Sequence, residues 1–250
     1  MKNSKFALFC PVNKACSILE PRWTILILAE MWWGSSRFND IRRGVPGVSP
    51  TLLSKRLKEL ENHGLIERVE DPATGSVEYI RTQMAIDLEP IIQALGDWAY
   101  EHTTSEDALC QLDANSLMWN LRRCILPEEL PPRRIVMQYV YSQPGRENQK
   151  FWTISKPGCI VDVCFIDPGF DIDLFVLADL RSMVSAYMGH TTLAAEIERG
   201  GIQFVGNSIL EKTVSRWFIL SSYARGPNAR FRRVRVEADF EQRKSLKQIM

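Results

Sequence analysis

The sequence predicts an α+β protein of two domains, and three observations lead to this class. Residues 37–82 read as a short helix, a Gly/Pro turn, a capped amphipathic helix and a pair of strands. Residues 117–224 instead begin with strand-like runs separated by turn pairs such as Pro157-Gly158, and helix patterns follow. The 250 residues are 45% hydrophobic, which is sufficient for two buried cores. We therefore expect an N-terminal winged helix-turn-helix domain and a second, α+β domain with an antiparallel sheet.

The longer helix of the first domain has a start signal and a stop signal. Ser49 can accept a hydrogen bond from a first-turn amide, and Pro50 suits the first helical position. Leu53, Leu57 and Leu60 recur at i, i+4 and i+7, so they share one buried stripe. Gly64 is expected to end the helix because glycine adopts the left-handed conformation at little steric cost.

The segments on either side complete the winged helix-turn-helix pattern. Residues 38–43 predict a short helix, and the glycines and proline at 44–47 prevent it from continuing. Residues 65–69 and 77–80 are rich in branched and aromatic side chains, with turn residues between them. These two strands are the predicted wing.

The face of the longer helix opposite the leucines is the predicted DNA surface. Residues 37–68 contain seven basic and four acidic side chains, whereas residues 1–104 as a whole contain twelve basic and thirteen acidic ones. Such a local basic patch is what phosphate contacts require. We assign Lys55, Lys58, Arg42 and Arg43 to phosphates, and Pro50, Thr51 and Ser54 to base edges. The predicted DNA-binding residues are Arg42, Arg43, Ser49, Pro50, Thr51, Ser54, Lys55 and Lys58.

The N-terminal residues resemble the HxlR branch of the MarR-like transcription regulators over roughly residues 8–102. The matching residues are Cys10-Pro11, Trp23-Thr24, residues 25–28, Phe38, Val48-Ser49, Leu53, Arg56-Leu57, residues 59–61, residues 64–66, residues 77–79, Thr82 and Trp98. The resemblance implies a bacterial-type regulator that binds double-stranded DNA as a homodimer. A two-fold dimer would read a palindromic operator.

Two features depart from the family pattern. The predicted wing tip, residues 70–76, is acidic and lacks the arginine of many relatives, which argues against contact between the wing and DNA. Arg81 replaces the usual leucine before Thr82.

Further helices are predicted around the wing. Residues 13–19 form a short helix pattern, and residues 22–33 are so apolar that they must lie in a core or a subunit interface. Residues 87–102 repeat apolar side chains at helical spacing, which makes this helix the predicted dimer element.

The second domain predicts strands at 135–141, 150–155, 159–165, 172–177 and 202–205, with helices at 179–188, 193–199 and 208–220. It resembles the sterol-carrier-protein lipid-transfer domain through Asp173-Leu174, residues 178–180, Met188-Gly189, Ala194-Ala195, residues 201–204 and Val205-Gly206. The resemblance implies an apolar tunnel for a lipid or another hydrophobic small molecule. Its candidate lining residues are Met183, Tyr187, Met188, Phe204, Trp217 and Phe218, which fit a filled core equally well.

The six cysteines show no zinc spacing, so we expect six free thiols, mostly buried and inert. In the family that the chain resembles, a cysteine at the position of Cys10 sometimes acts as a thiol switch. Cys16 could resolve it only if the two Cα atoms come as close as a disulfide requires.

The predicted organisation is a DNA-binding and dimerisation domain at 1–102, a linker at 103–116, a sterol-carrier-like domain at 117–224 and a basic tail at 225–250. No leader or membrane-spanning segment is recognisable, so a cytoplasmic protein is expected. The sequence has no nucleophile elbow, phosphate-binding loop or metal motif, so no enzyme activity, cofactor or metal is predicted.

Three functions stay open from the sequence alone. The first is a transcriptional regulator modulated by a hydrophobic ligand in its second domain. The second is a lipid or small-molecule carrier that uses the winged helix only for dimerisation, and the acidic wing tip favours it. The third is a regulator switched by oxidants or electrophiles at Cys10.

Overall fold

A computed structural model describes residues 9–104, 109, 112–221 and 223–224. The described chain forms two compact units, the first ending at Gly96 and the second beginning at Asp97. Among the described residues, no helix combines the length and apolar character needed to cross a bilayer. The predicted basic tail and Cys110 lie outside the described residues.

Within the described residues, the first unit consists of four helices, a two-stranded wing and two further helices, the second of which runs past the unit boundary. The elements are α1 (Pro11–Leu19), α2 (Thr24–Trp32), α3 (Phe38–Gly44), α4 (Pro50–Asn62), β1 (Ile66–Glu70), β2 (Val77–Arg81), α5 (Gln83–Ile86) and α6 (Glu89–His102). Helix α5 was not expected. The core contains Ile27 and Leu28 of α2, Ile41 of α3 and the three leucines of α4.

The predicted boundaries of α4 are confirmed by its cap and its stop. The Ser49 hydroxyl accepts a hydrogen bond from the Leu52 amide at 3.3 Å, and Gly64 has a φ of +73°. The wing is fastened at this end of α4, because the Thr82 hydroxyl donates to the Gly64 carbonyl at 2.7 Å. The predicted winged helix-turn-helix is therefore present, with β1 and β2 antiparallel.

The second unit is α+β. Its elements after α6 are α7 (Ala114–Leu121), two short 3-10 helices, β3 (Ile135–Ser142), β4 (Gln149–Ser155), β5 (Asp162–Cys164), β6 (Leu174–Asp179), α8 (Leu180–Met188), α9 (Leu193–Glu198), β7 (Ile202–Gly206), α10 (Ser208–Lys212) and α11 (Val214–Trp217). Helix α7 starts inside the predicted linker, where the Asp113 side chain caps it by accepting from the amides of Asn115 and Ser116.

The sheet of the second unit has the strand order β5-β4-β3-β6-β7. Three of its four pairings are antiparallel, as predicted, but the central pair β3 and β6 is parallel. Parallel strands require a long connection, and here β4 and β5 lie within the connection from β3 to β6. The sequence order of the strands did not reveal which of them would become neighbours.

The single helix predicted at 208–220 is two short helices instead. The break is at Thr213, whose φ of −107° and ψ of 11° are not helical. Its hydroxyl donates to the Ile209 carbonyl at 2.7 Å, a local bond that bends and ends helices.

Candidate nucleic-acid interface

One face of α4 is polar and open to solvent. Leu53, Leu57 and Leu60 are at most 2% exposed on the inner face. Four polar side chains fall within about 100° of arc on the outer face, given 3.6 residues per turn. They are Thr51, Ser54, Lys55 and Lys58, and all are exposed. This outer face can approach a duplex without disturbing the core.

All eight predicted DNA-binding residues are exposed, including Arg42 and Arg43 at the end of α3 and Ser49 and Pro50 at the start of α4. Lys58 pairs with Glu61 at 2.9 Å, and Arg43 lies 3.8 Å from Asp40. Lys58 and Arg43 are each more than half exposed, and exposed ion pairs contribute little free energy. Replacing these carboxylates by DNA phosphates as the partners of Lys58 and Arg43 therefore costs little free energy.

Three further cations counted in the basic patch also form ion pairs within the protein. Arg56 is only 16% exposed and pairs with Glu59. Arg37 pairs with Glu78 at 3.4 Å, and Arg68 pairs with Glu70 at 3.1 Å. Of these three, Arg56 is the one withdrawn from solvent. Arg37 and Arg68 are 64% and 44% exposed, so their ion pairs contribute little free energy and leave both cations in the basic patch.

The wing tip is an ordered acidic turn. The Asp71 carboxylate accepts hydrogen bonds from the Thr74 hydroxyl at 2.8 Å and the Ala73 amide at 2.9 Å. These two bonds, of which the Thr74 bond has the larger effect, hold the pKa of Asp71 below its usual value. The carboxylate is therefore charged at neutral pH and repels phosphate, which leaves α4 as the main candidate for DNA contact.

Arg81, the departure from the family pattern, is buried at the base of the wing. Its guanidinium is 10% exposed and pairs with Glu89 at the start of α6. Burial lowers the pKa of Arg81 to about 10, so the side chain remains charged at neutral pH. The ion pair of Arg81 and Glu89 joins the end of the wing to the start of α6.

Two further side chains, one in α2 and one just before it, lie close to the end of α3 and to the turn that follows. Glu30, 4% exposed, accepts a hydrogen bond from the Ser35 hydroxyl at 2.5 Å, and a Cβ on Gly44 would overlap its carboxylate. The Trp23 ring lies 3.3 Å from the position of a Cβ on Gly47. Trp23 is among the residues that carry the family resemblance, but its position in the sequence predicts no packing role for it or for Glu30. Both side chains approach glycines, which have no Cβ.

The described cysteines are free thiols, as predicted, but the expectation that most are buried is wrong for them. Cys124 is buried, whereas Cys16 and Cys159 are exposed and Cys10 is half-buried. Burial raises the pKa of the Cys124 thiol to about 12, so this thiol stays protonated and unreactive at neutral pH. Cysteine burial depends on neighbours in space, which a sequence position does not reveal.

Cys10 and Cys16 do not satisfy the geometric condition for a disulfide. Cys10 caps α1 and Cys16 lies within it. Six residues of helix rise about 9 Å, which exceeds the roughly 7 Å between Cα atoms that a disulfide tolerates. An intramolecular bridge would require α1 to unwind.

The predicted ligand-pocket residues gather in the core of the second unit. Met183 and Trp217 are at most 1% exposed, and Phe218 is 7% exposed. Phe204 meets Trp217 edge to face at 6.1 Å between ring centroids, and Trp217 meets Phe218 at 6.3 Å. Tyr187 packs against the same core, and Met188 is half-buried. The described residues contain no cluster of three or more side chains suited to a metal.

The two helices, the wing and the exposed cationic face define a winged helix-turn-helix protein of the DNA-binding class. Residues 18–107 match the family model described as HxlR-like helix-turn-helix. The chain is 40% identical over 94 residues to the uncharacterised HTH-type transcriptional regulator YvaP of Bacillus subtilis, a match that covers 37% of this chain and 87% of that protein. It is 34% identical over 104 residues to the HTH-type transcriptional regulator YodB of the same organism, covering 41% and 93%.

Solved structures give similar matches. The reduced form of YodB from B. subtilis matches with a TM-score of 0.34 and 33% identity, covering 38% of this chain and 95% of that one. The redox regulator HypR in its reduced form matches with a TM-score of 0.36 and 27% identity, covering 40% and 99%. On the sequence matches, this chain belongs to the HxlR-like helix-turn-helix family and is a DNA-binding transcriptional regulator.

Proposed function

We propose that this regulator reads a palindromic operator as a homodimer, with one α4 helix in each of two major grooves. The observation that carries the proposal is the exposed arc of Thr51, Ser54, Lys55 and Lys58 opposite the buried leucines. Lys55 and Lys58, with Arg42 and Arg43, contact phosphates and fix the register of the protein on the duplex. Pro50, Thr51 and Ser54 contact base edges, because N-terminal residues of a recognition helix enter the groove most deeply.

The dimer proposal rests on an apolar stripe along α6. Ile91, Leu95 and Trp98 are 55%, 47% and 62% exposed and recur at i, i+4 and i+7. Ile92, about 100° around the same helix from Ile91, is 8% exposed. A helix that buries one apolar face in its own unit and exposes a second one has a surface suited to a second copy.

The direct test is a selection of duplexes from a random pool with purified protein. Two-fold symmetry predicts that the selected duplexes contain an inverted repeat with half-sites about one DNA turn, roughly 10 base pairs, apart. A selected site without internal symmetry would contradict the homodimer arrangement, and failure to enrich any duplex would contradict sequence-specific binding.

We propose for the second unit a role in sensing a hydrophobic molecule, by analogy with sterol-carrier domains. The order strand, helix, helix, strand, helix from β6 to α10 supports this analogy. The apolar residues Met183, Trp217 and Phe218 form the interior that a ligand would enter. A ligand changes operator affinity only if it binds the two states of the regulator with different affinity.

Palmitate is a suitable probe for this role. A ligand present at about 100 times its Kd stabilises the folded protein by roughly 2.7 kcal/mol, so we expect thermal unfolding to shift upwards. Operator affinity measured with and without saturating palmitate then tests regulation. No shift in unfolding would contradict binding of this acyl chain, and a shift with unchanged operator affinity would separate binding from regulation.

A further inference from the structure

The junction between α1 and α2 holds a strained residue. Trp23 has a φ of +82°, and it is the one non-glycine residue of the described chain with a positive φ. This conformation brings Cβ close to backbone atoms in an L-residue and therefore costs conformational energy. Such residues persist only where surrounding contacts hold them, and they concentrate at functional elements.

The first contact that holds this junction comes from α4, the proposed recognition helix. Arg56 donates from Nε to the Arg22 carbonyl at 3.1 Å. The same guanidinium pairs through Nη1 with Glu59, one turn further along α4. With only 16% of its side chain exposed, Arg56 points back into the protein rather than out with Lys55 and Lys58.

The second contact reaches the turn that precedes α4. Cη2 of Trp23 lies 3.3 Å from the position where a Cβ on Gly47 would be, and Gly47 has a φ of +87°. The Arg22 guanidinium lies 4.6 Å from the centroid of the Trp23 ring and covers it. The dipeptide Arg22-Trp23 is therefore hydrogen-bonded to α4 through Arg56, and its Trp23 ring occupies the space that a Cβ at Gly47 would need in the turn before α4.

We propose that the Arg22-Trp23 junction positions the recognition helix, with Arg56 and Trp23 as the positioning residues. Readout of base edges depends on the exact placement of α4, whereas attraction to phosphates tolerates small displacements. Loss of either contact therefore lowers specific binding more than nonspecific binding. This inference rests on the proposed function of α4.

The test compares Arg56→Lys with Lys55→Ala on a duplex selected by the wild type and on its scrambled form, at several salt concentrations. Lysine cannot reproduce the two directed bonds of the guanidinium. We expect Arg56→Lys to lose up to about tenfold in affinity for the selected duplex, because the free energy of one hydrogen bond to a charged group limits the effect. Its affinity for the scrambled duplex and its salt dependence are expected to match the wild type.

Lys55→Ala is the matched control on the same helix. It is expected to weaken both duplexes and to reduce the slope of log K against log salt by about 1. If Arg56→Lys behaves in this way, Arg56 is a phosphate contact and the inference is wrong. If Arg56→Lys only lowers the thermal stability and keeps full preference for the selected duplex, Arg56 is merely structural and the inference is also wrong.

Two further variants keep the test decisive if Arg56→Lys does not fold. Trp23→Phe shortens the ring that reaches Gly47, and it is expected to lose affinity for the selected duplex selectively. Glu59→Gln retains the bond from Arg56 to Arg22 and is expected to keep the preference. Equal losses on both duplexes for Trp23→Phe would overturn the inference, whereas a wild type that prefers no duplex would overturn the proposed function itself.

Discussion

Replacing Lys55 and Lys58 together by alanine is expected to lower operator affinity by up to roughly 100-fold at about 0.1 M salt. Each phosphate contact releases counterions and contributes about 0.9 to the slope of log K against log salt. Two contacts should therefore reduce that slope by up to about 1.8. The expected loss is smaller if the pairing of Lys58 with Glu61 competes with phosphate. The measurement is a titration of the selected duplex by fluorescence anisotropy at several salt concentrations.

The control for this variant is Lys150→Ala/Lys156→Ala, which removes two exposed lysines of the second unit. This variant has the same change in net charge. It therefore distinguishes the loss of local phosphate contacts from a change in the electrostatic field of the whole protein. We expect it to keep the wild-type slope and affinity. Equal binding by the wild type and the Lys55/Lys58 variant, with no preference for any duplex, would favour the carrier function instead.

Replacing Leu95 by glutamate is expected to convert the dimer to monomers and to abolish tight binding to the inverted repeat. Leu95 is the central residue of the exposed stripe on α6, and a carboxylate buried there without a partner is strongly unfavourable. A monomer binds one half-site at a time. It therefore loses the increase in affinity that comes from binding two linked half-sites, which is on the order of 100-fold or more. Sedimentation velocity gives the oligomeric state, and anisotropy on whole and half operators gives the affinities.

The matched control for the dimer is Ile209→Glu. Ile209 is 62% exposed on α10 of the second unit, so the same chemical change is made on an apolar surface residue of a different helix. We expect this variant to sediment as the wild type does. A Leu95→Glu protein that remains dimeric would show that another surface joins the two copies.

The sequence determined α4, the proposed recognition helix, because the signals for this helix are local. A serine cap, a first-turn proline, three leucines at helical spacing and a stop glycine all lie within sixteen residues, from Ser49 to Gly64. Each acts through the geometry of a single helix, so the helix bounds and its exposed face could be read directly. The two strands of the wing were predictable from local signals of the same kind, namely branched and aromatic residues on either side of a turn.

The identity of the second unit depended much less on local signals. Its strands were recognisable from their composition, but the parallel neighbours β3 and β6 are separated by two other strands. The break at Thr213 similarly depends on where one hydroxyl finds an acceptor. Local patterns specify strands and helices, whereas pairing and interruption depend on contacts made after the chain has folded.

The tertiary structure alone decided which charged and thiol groups face solvent. Arg56 and Lys55 are neighbours on α4, yet Arg56 turns inward to bind the Arg22 carbonyl and Lys55 remains exposed. Cys124 is buried while Cys16 and Cys159 are exposed. Residue type fixes the chemistry that a side chain can perform, but its burial and partners come from segments distant in sequence. The sequence therefore determined that the protein is of the DNA-binding class, and the fold decided which residues are available to contact DNA.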